Sequence, residues 1–311
     1  MKEFRPRAIV IHGGSGNVDM TDPYDAYNLK TKLEALAKIV RNGWEELSAG
    51  KTSLDVVTNT IVRLEDAEPF NAGYGSSIGI DAKGKPLVAL DASIMIKEGD
   101  IYRFGGVTGI TNMQNPILVA RAVLDQQPNI LHGEGANDLA AKIAKQYKKP
   151  ILDNKDLMTE FKWHKFQEFQ EQQKESTEGG TVGVVVFDGT RLVAGTSTGG
   201  ITGKLHGRTG DSCIPGAGTF ADTIGGASAT GFGEAIMIYG STRKAIELLK
   251  EGLTPQEAAD AVAAELRDSY NGNGGIIIAN NEGEIGVATN TNHMPNAYMT
   301  NNMSDPVVRA K

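Results

Sequence analysis

The stretch Gly179-Gly180-Thr181-Val182-Gly183-Val184-Val185-Val186-Phe187 divides the chain into two unlike parts. Residues 150–178 ahead of it are polar: from Asp153 to Glu178 there are seven acidic residues against four lysines, and the aromatic residues keep no clean period. That segment reads as a mobile, partly helical linker, 150–180. After the glycine pair the chain switches to β-branched residues, the composition of a buried strand. Asp188-Gly189 is then a hairpin turn into a second strand, residues 191–197. A threonine hydroxyl is a poor nucleophile, but a chain-terminal threonine carries its own base, because a free α-amine has a pKa of about 7.7–8.0. Such chemistry at Thr181 requires cleavage of the Gly180–Thr181 bond. Gly180 has the backbone freedom to hold that bond strained and no side chain to shield its carbonyl. The same residues also read as an ordinary threonine opening a strand after a Gly-Gly turn, and both readings stand on this stretch alone.

Working outward, residues 8–11 form a short apolar strand running into a glycine-rich loop. Leu29, Leu33, Leu36, Val40, Trp44 and Leu47 make one helical stripe stopped by Gly50, and Leu54, Val57, Ile61 and Leu64 repeat the pattern. Strands follow at 87–96 and 102–108, then helices at 116–124 and 136–144. Beyond the central hairpin comes a glycine-rich region from 195 to 233, a helix to about residue 249, and a helix opened by the capping box Thr254-Pro-Gln-Glu257. Two final strands, 275–280 and 284–289, flank a turn. Strand pairs alternating with helix pairs predict an α+β fold of antiparallel sheets covered by helices, because a doubly wound parallel sheet needs one helix per crossover.

Of 311 residues 38 are glycine, about 12 % against an average near 7 %. With 11 prolines the chain stays below the 25–30 % typical of low-complexity sequences, so the glycine sits inside a fold. A net charge of −7 without a basic block argues against nucleic acid or an anionic membrane as partner and favours a small molecule. The apolar run at 8–11 is too short for a signal peptide, and no stretch approaches 18 apolar residues, so a soluble, cytoplasmic protein is expected. One cysteine, Cys213, and five scattered histidines give neither a disulfide nor a zinc spacing. Chemistry is left to hydroxyls, carboxylates, amides and backbone, with no catalytic cofactor.

Several motifs compete for it. Gly195-Thr-Ser-Thr-Gly199 matches the serine nucleophile elbow but runs into glycine-rich sequence where the elbow needs a helix. Gly216-Ala-Gly-Thr-Phe-Ala221 matches a relaxed dinucleotide fingerprint without a strand before it, and Gly203-Lys204 resembles the end of a P-loop without its Ser or Thr. These leave a nucleotide-binding module as the rival of a different class. Arg208 and Asp211 can hold the carboxylate and ammonium of an amino acid, or simply form a surface pair. Thr230-Gly231-Phe232-Gly233 can offer a hydroxyl and N–H groups to an oxyanion, or Thr230 can merely cap the following helix.

Taken together the segments resemble the plant-type (type III) L-asparaginase and isoaspartyl peptidase family of Ntn hydrolases. The likeness rests on nine short motifs in order: His12-Gly-Gly-Ser-Gly16, Pro69-Phe-Asn-Ala-Gly-Tyr-Gly75, Asp91-Ala-Ser-Ile-Met95, Asn115-Pro-Ile117, Gly180-Thr-Val-Gly183, Thr196-Ser-Thr-Gly-Gly200, Gly207-Arg-Thr-Gly-Asp-Ser212, Gly216-Ala-Gly218 and Thr230-Gly-Phe-Gly-Glu234. Two departures stand out: Glu178-Gly179-Gly180 replaces the commoner His-Gly, and Cys213 stands where proline is usual.

The resemblance implies a single domain, 1–311, folded as a four-layer αββα sandwich and cut into an α chain of 1–180 and a β chain of 181–311, paired as a dimer of such heterodimers. It implies Thr181 as nucleophile with Thr198 beside it, Thr230 and Gly231 stabilising the oxyanion, and Asn71 in support. Substrate would lie against Arg208, Thr209, Gly210, Asp211, Phe232 and Gly233. Substrates would be L-asparagine and β-aspartyl dipeptides; a glycosylasparaginase-like activity is the alternative, disfavoured by Gly180 where that branch carries Asp. A structural sodium ion on the main-chain carbonyls of Leu64, Glu65, Ala67, Phe70, Ala72 and Tyr74 is also implied.

Overall fold

The structure, a computed structural model, describes residues 6–172 and 180–311. Strand β1 (Ala8–His12) leads into helices α1 (Pro23–Ser48) and α2 (Ser53–Glu65). The pair β2 (Gly79–Ile80) and β3 (Pro86–Leu87) precedes β4 (Leu90–Glu98), β5 (Ile101–Ile110), α3 (Pro116–Val123), β6 (Ile130–His132), α4 (Gly133–Tyr147) and α5 (Glu160–Gln172). The second half runs β7 (Val182–Phe187), β8 (Leu192–Thr198), β9 (Thr219–Ala221), β10 (Gly225–Gly231), α6 (Gly233–Tyr239), α7 (Ser241–Lys250) and α8 (Pro255–Tyr270). It ends in β11 (Gly274–Asn280), β12 (Ile285–Thr289), β13 (Asn296–Thr300) and β14 (Val307–Arg309).

Local chemistry sets the helix ends. The Asp22 carboxylate accepts from the Tyr24 and Asp25 N–H groups ahead of α1, with Pro23 at the first helical position. Both halves of the capping box form at α8, between Thr254 and Glu257.

Eight strands make one sheet in the order β14-β13-β1-β7-β8-β4-β5-β6, and four make a second, β12-β11-β10-β9. Within both sheets every ladder is antiparallel except β5 with β6. Alternation along the central strands gives the layers. Ile9, Ile11, Val182, Val184 and Val186 pack with Leu36, Val40, Val57, Ile61 and Ile117 of the first helical layer. Ala8, Val10, Val185 and Phe187 face the other way, into a core with Phe220, Ala227 and Ile277 of the second sheet and Ile246, Ala258 and Val262 of α7 and α8. The result is the expected α+β sandwich, helix, sheet, sheet, helix. A strand buried on both faces has no polar alternation to show, which is why 184–187 reads as an unbroken apolar run; each such side chain contributes about 1.5–3 kcal/mol by leaving water.

Strand β10, Gly225-Gly-Ala-Ser-Ala-Thr-Gly231, lies where the sequence reading assigned no strand. Its small residues reflect how closely the sheets approach: a Cβ on Gly226 would lie 2.9 Å from Val185 Cγ1, and one on Gly183 2.0 Å from Ser228 Oγ. The short β6, β9, β13 and β14 also escape that reading, although β13 lies directly beside β1, Ile9 opposite Met299. The single helix expected after Gly233 is broken at Gly240 (φ +70°) into α6 and α7.

Within the polar stretch 150–180, α5 is helical and Leu157 and Phe166 are fully buried in the first core. The remainder of that stretch, 173–179, lies outside the described residues. No helix among those described is long and apolar enough to cross a membrane.

Candidate functional site

Neighbouring strands β7 and β8 bring the two threonines together. Val182 is opposite Ser197, so Thr181 falls beside Thr198 at the end of the ladder. Thr181 Oγ1 donates to Thr198 Oγ1 at 3.0 Å, and Thr198 Oγ1 also accepts from the Gly200 N–H at 3.0 Å. Both side chains are buried, Thr181 at 5 % exposure. Alternation turns Ser197 the opposite way, towards α2, where its hydroxyl donates to Glu65 Oε1 at 2.7 Å. The serine elbow therefore does not share the site with Thr181. Burial pushes the Glu65 carboxyl up to about 8, against hydrogen bonds from Ser197, the Ile117 N–H and Asn115.

Gly180 is wedged between two loops. A Cβ on it would lie 2.6 Å from Asn71 Cβ, and a Cβ on Gly14 would lie 2.6 Å from Gly180 Cα. Gly14 itself sits in the left-handed region (φ +98°). Space leaves no room for a side chain at 180. Asn71 is fixed from three sides, its Nδ2 donating to Gly200 O and its Oδ1 accepting from Ser77 N, both at 2.7 Å, while its own carbonyl accepts from Gly199 N. It thus ties Gly180 to the turn that holds Thr198.

Thr230, next to last in β10, has no exposure. Its Oγ1 accepts from the Ser15 N–H at 3.2 Å, and Ser15 Oγ donates to the Thr230 carbonyl at 3.0 Å. The acceptor side of the hydroxyl is taken, so its proton is directed elsewhere. Thr230 does not cap α6; Phe232 occupies that position without a side-chain cap. Gly231 (φ +142°) has no room for a side chain, a Cβ there lying 2.2 Å from Asn273 O. Beneath these residues runs a fully buried polar chain. His12 Nδ1 accepts from Gly14 N, which leaves Nε2–H to face Ser228 Oγ at 3.1 Å, and Ser228 meets Thr196 at 2.7 Å. Burial drives the His12 pKa down to about 3, so the ring is neutral at physiological pH.

The expected amino-acid anchors lie side by side but do not pair with each other. Arg208 donates through Nε and Nη2 to the two carboxylate oxygens of Glu234, each at 3.0 Å. Asp211 is buried with Oδ2 lacking any hydrogen bond among the described residues, and burial pushes its carboxyl up to about 7 against the pull of Arg208. The two converge on Gly233, where a Cβ would lie 2.8 Å from Asp211 Oδ1 and 3.0 Å from Arg208 Nη2. Gly210 borders Arg208 Nη1, Thr209 bonds Thr108, and Phe232 is partly exposed at the entrance to α6. Sequence reasoning missed Ser15 and Glu234 as partners, since nothing local marks a contact made across the fold.

The nucleotide motifs find no such setting. Gly216-Ala-Gly218 opens strand β9, not a helix, and Lys204 Nζ is turned into the protein, donating to Ala89 O at 2.5 Å. The turn after α2 does fit a hard cation. A Cβ on Gly75 would lie 2.1 Å from both the Glu68 and Phe70 carbonyl oxygens, and one on Gly73 (φ +55°) 2.4 Å from Glu65 O, so main-chain oxygens crowd a cradle that only glycine can line.

Comparison with known proteins gives the family. Residues 5–308 match the family described as Asparaginase. A plant-type L-asparaginase of Pyrococcus horikoshii is 38 % identical over 315 residues, covering 96 % of this chain and 98 % of its own. An isoaspartyl peptidase/L-asparaginase of Xenopus laevis is 36 % identical, covering 92 % and 90 %, and an isoaspartyl peptidase of Escherichia coli is 35 % identical, covering 93 % and 92 %. With the family match spanning nearly its whole length and Thr181 meeting Thr198 beside Arg208 and Asp211, the chain belongs to the asparaginase family of Ntn hydrolases.

Proposed function

We propose that the protein cuts its own chain between Gly180 and Thr181 and then hydrolyses L-asparagine and β-aspartyl dipeptides with Thr181 as nucleophile. The observation that carries the reading is the Thr181–Thr198 hydroxyl pair at 3.0 Å directly after a sterically clamped glycine. In the uncut chain Thr181 Oγ attacks the Gly180 carbonyl carbon, its proton leaving along the hydrogen bond to Thr198. The C–N bond breaks, the amine takes up a proton, and water hydrolyses the resulting ester to leave a Gly180 carboxylate and a free Thr181 α-amine.

That amine is the base for turnover. Arg208 holds the substrate α-carboxylate and Asp211 the α-ammonium, which directs the side-chain amide towards Thr181. Oγ attacks the amide carbon while the amine accepts its proton, and the Thr230 hydroxyl with Gly231 stabilises the oxyanion. The proton passes to the leaving ammonia, or to the amine of a released amino acid, and water then cleaves the β-aspartyl ester. The names of the relatives support both substrates. A sodium ion held by the main-chain carbonyls of Leu64, Glu65, Ala67, Phe70, Ala72 and Tyr74 stiffens the loop that carries Asn71, and two cut chains pair into a heterotetramer.

A denaturing gel and an ammonia assay test the reading. Scaling the 33.1 kDa chain by residue number gives fragments of about 19 and 14 kDa. Thr181→Ala is expected to stay full length and release no ammonia; turnover by an uncut chain would refute the mechanism.

A further inference from the structure

The loop that carries Arg208 also buries a second cation. Lys204 is 5 % exposed, and its stem and ammonium lie under the Gly199–Gly200 turn. A Cβ on Gly200 would lie 2.9 Å from Lys204 Nζ and 3.3 Å from Arg208 Nη1, so both nitrogens reach the same small space beside Gly200. Arg208 Nη1 is also the one guanidinium nitrogen with no hydrogen bond among the described residues, since Nε and Nη2 are engaged by Glu234. It points into the gap between Gly200 and Gly210, where a Cβ on Gly210 would lie 3.0 Å away. A cavity of about 540 Å³ opens beside this gap, lined in part by Lys204, Arg208, Thr209 and Thr108.

A fixed framework holds Lys204 there. Its Nζ donates to Ala89 O at 2.5 Å and stands 3.9 Å from Asp91 Oδ2, which has no hydrogen bond among the described residues. Asp91 Oδ1 accepts from the Thr108 hydroxyl at 2.6 Å and from Gly109 N at 3.0 Å. With its proton committed to Asp91, Thr108 accepts from the Thr209 hydroxyl at 3.0 Å. One buried carboxylate thereby fixes Lys204 and, through Thr108 and Thr209, the backbone next to Arg208.

We propose that Lys204, positioned by Asp91, supplies the second positive charge of the subsite for the substrate α-carboxylate. The inference rests on the assignment of Arg208 to that carboxylate. Glu234 already neutralises much of the Arg208 charge, and a carboxylate docking at Nη1 then finds the Lys204 ammonium on its other side. Burial lowers the pKa of this ammonium and Asp91 raises it; where water does not screen it, the charge acts on an anion it need not touch.

Lys204→Met tests the proposal, because it keeps the stem that packs under Gly200 and removes the charge. The readouts are autocleavage, which involves no substrate carboxylate, kcat and KM for L-asparagine, and inhibition by L-aspartate. The variant is expected to cut as the wild type does and to keep kcat within about threefold, while KM and the L-aspartate inhibition constant each rise about tenfold. The double variant Asp91→Asn/Lys204→Met leaves no buried ion unpaired and is expected to show a KM shift in the same direction, which covers misfolding of the single variant. An unchanged KM in either variant, or cleavage and kcat lost along with the rise in KM, overturns the proposal. A wild-type protein that neither cuts nor releases ammonia overturns the functional reading instead.

Discussion

Alanine at position 180 is the smallest change that probes how the Gly180–Thr181 bond is held. Its Cβ would lie 2.6 Å from Asn71 Cβ, where carbon atoms settle at about 3.5–4.0 Å, so one partner must give by about 1 Å. If Asn71 moves, its two 2.7 Å side-chain hydrogen bonds, to Gly200 O and from Ser77 N, lengthen past bonding range at a cost of about 0.5–1.5 kcal/mol each. If Gly180 moves, its carbonyl shifts by about 1 Å from Thr181 Oγ, and a misplacement of that size costs about a hundredfold in rate. Gly14, packed against Gly180 Cα from the other side, blocks retreat in that direction. Overpacking of this kind costs about 1–3 kcal/mol in either case. Gly180→Ala is therefore expected to lower Tm by a few degrees and to slow autocleavage by about one to two orders of magnitude. The assay is the appearance of the two fragments with time in freshly translated protein, beside a thermal melt. Cleavage at the wild-type rate with an unshifted Tm would show that the clamp around Gly180 has no part in processing.

Thr198→Val removes the acceptor of the Thr181 hydroxyl and orphans the Gly200 N–H, so autocleavage is expected to fall at least tenfold and stability by about 1–3 kcal/mol, while Thr198→Ser keeps both bonds; the gel and a denaturant melt check this. Asp211, pushed up to about 7, binds the substrate ammonium only when ionised, so KM for L-asparagine is expected to fall as pH rises towards neutrality and the Asp211→Asn variant to lose that limb. The same raised pKa means that its stability contribution is complete below the ordinary carboxylate range and is lost as pH rises through about 7, a trend that melts across pH will register and Asp211→Asn will flatten. Gly231→Ala places a Cβ 2.2 Å from Asn273 O at a φ of +142°, and is expected to cost about 1–3 kcal/mol and most of the turnover.

What the sequence discloses and what it hides follow from the layers. Helices α1 and α2 are legible because one face meets a sheet and the other meets water, which imposes a period. Strand β7 is legible by composition, since valine on both faces suits burial on both. Strand β10 is not: the sheets come so close at Gly226 and Ser228 that small residues replace the β-branched signature. Among site residues, Thr181 announces itself through Gly180, and Arg208 and Asp211 through their spacing. Glu234 on Arg208, Ser15 on Thr230 and Asp91 on Lys204 are joined by folding across 26, 215 and 113 positions of chain, and no local pattern carries such pairings. The crowding of Gly180 by Asn71 is equally hidden, because it exists only once two distant loops are packed.

The strand order of the larger sheet bears on what a cut at residue 180 does to the molecule. Strands from the two sides of that bond are interleaved: β1 lies between β13 and β7, and the β7–β8 hairpin lies between β1 and β4. Three ladders, β13 with β1, β1 with β7 and β8 with β4, therefore join one prospective fragment to the other. Neither piece holds the larger sheet complete, so scission turns intramolecular pairing into a subunit interface formed before the subunits exist. The new amino terminus is held in register by hydrogen bonds that the lost peptide bond never supplied, and the fragments are expected to leave a sizing column as one particle and part only on unfolding.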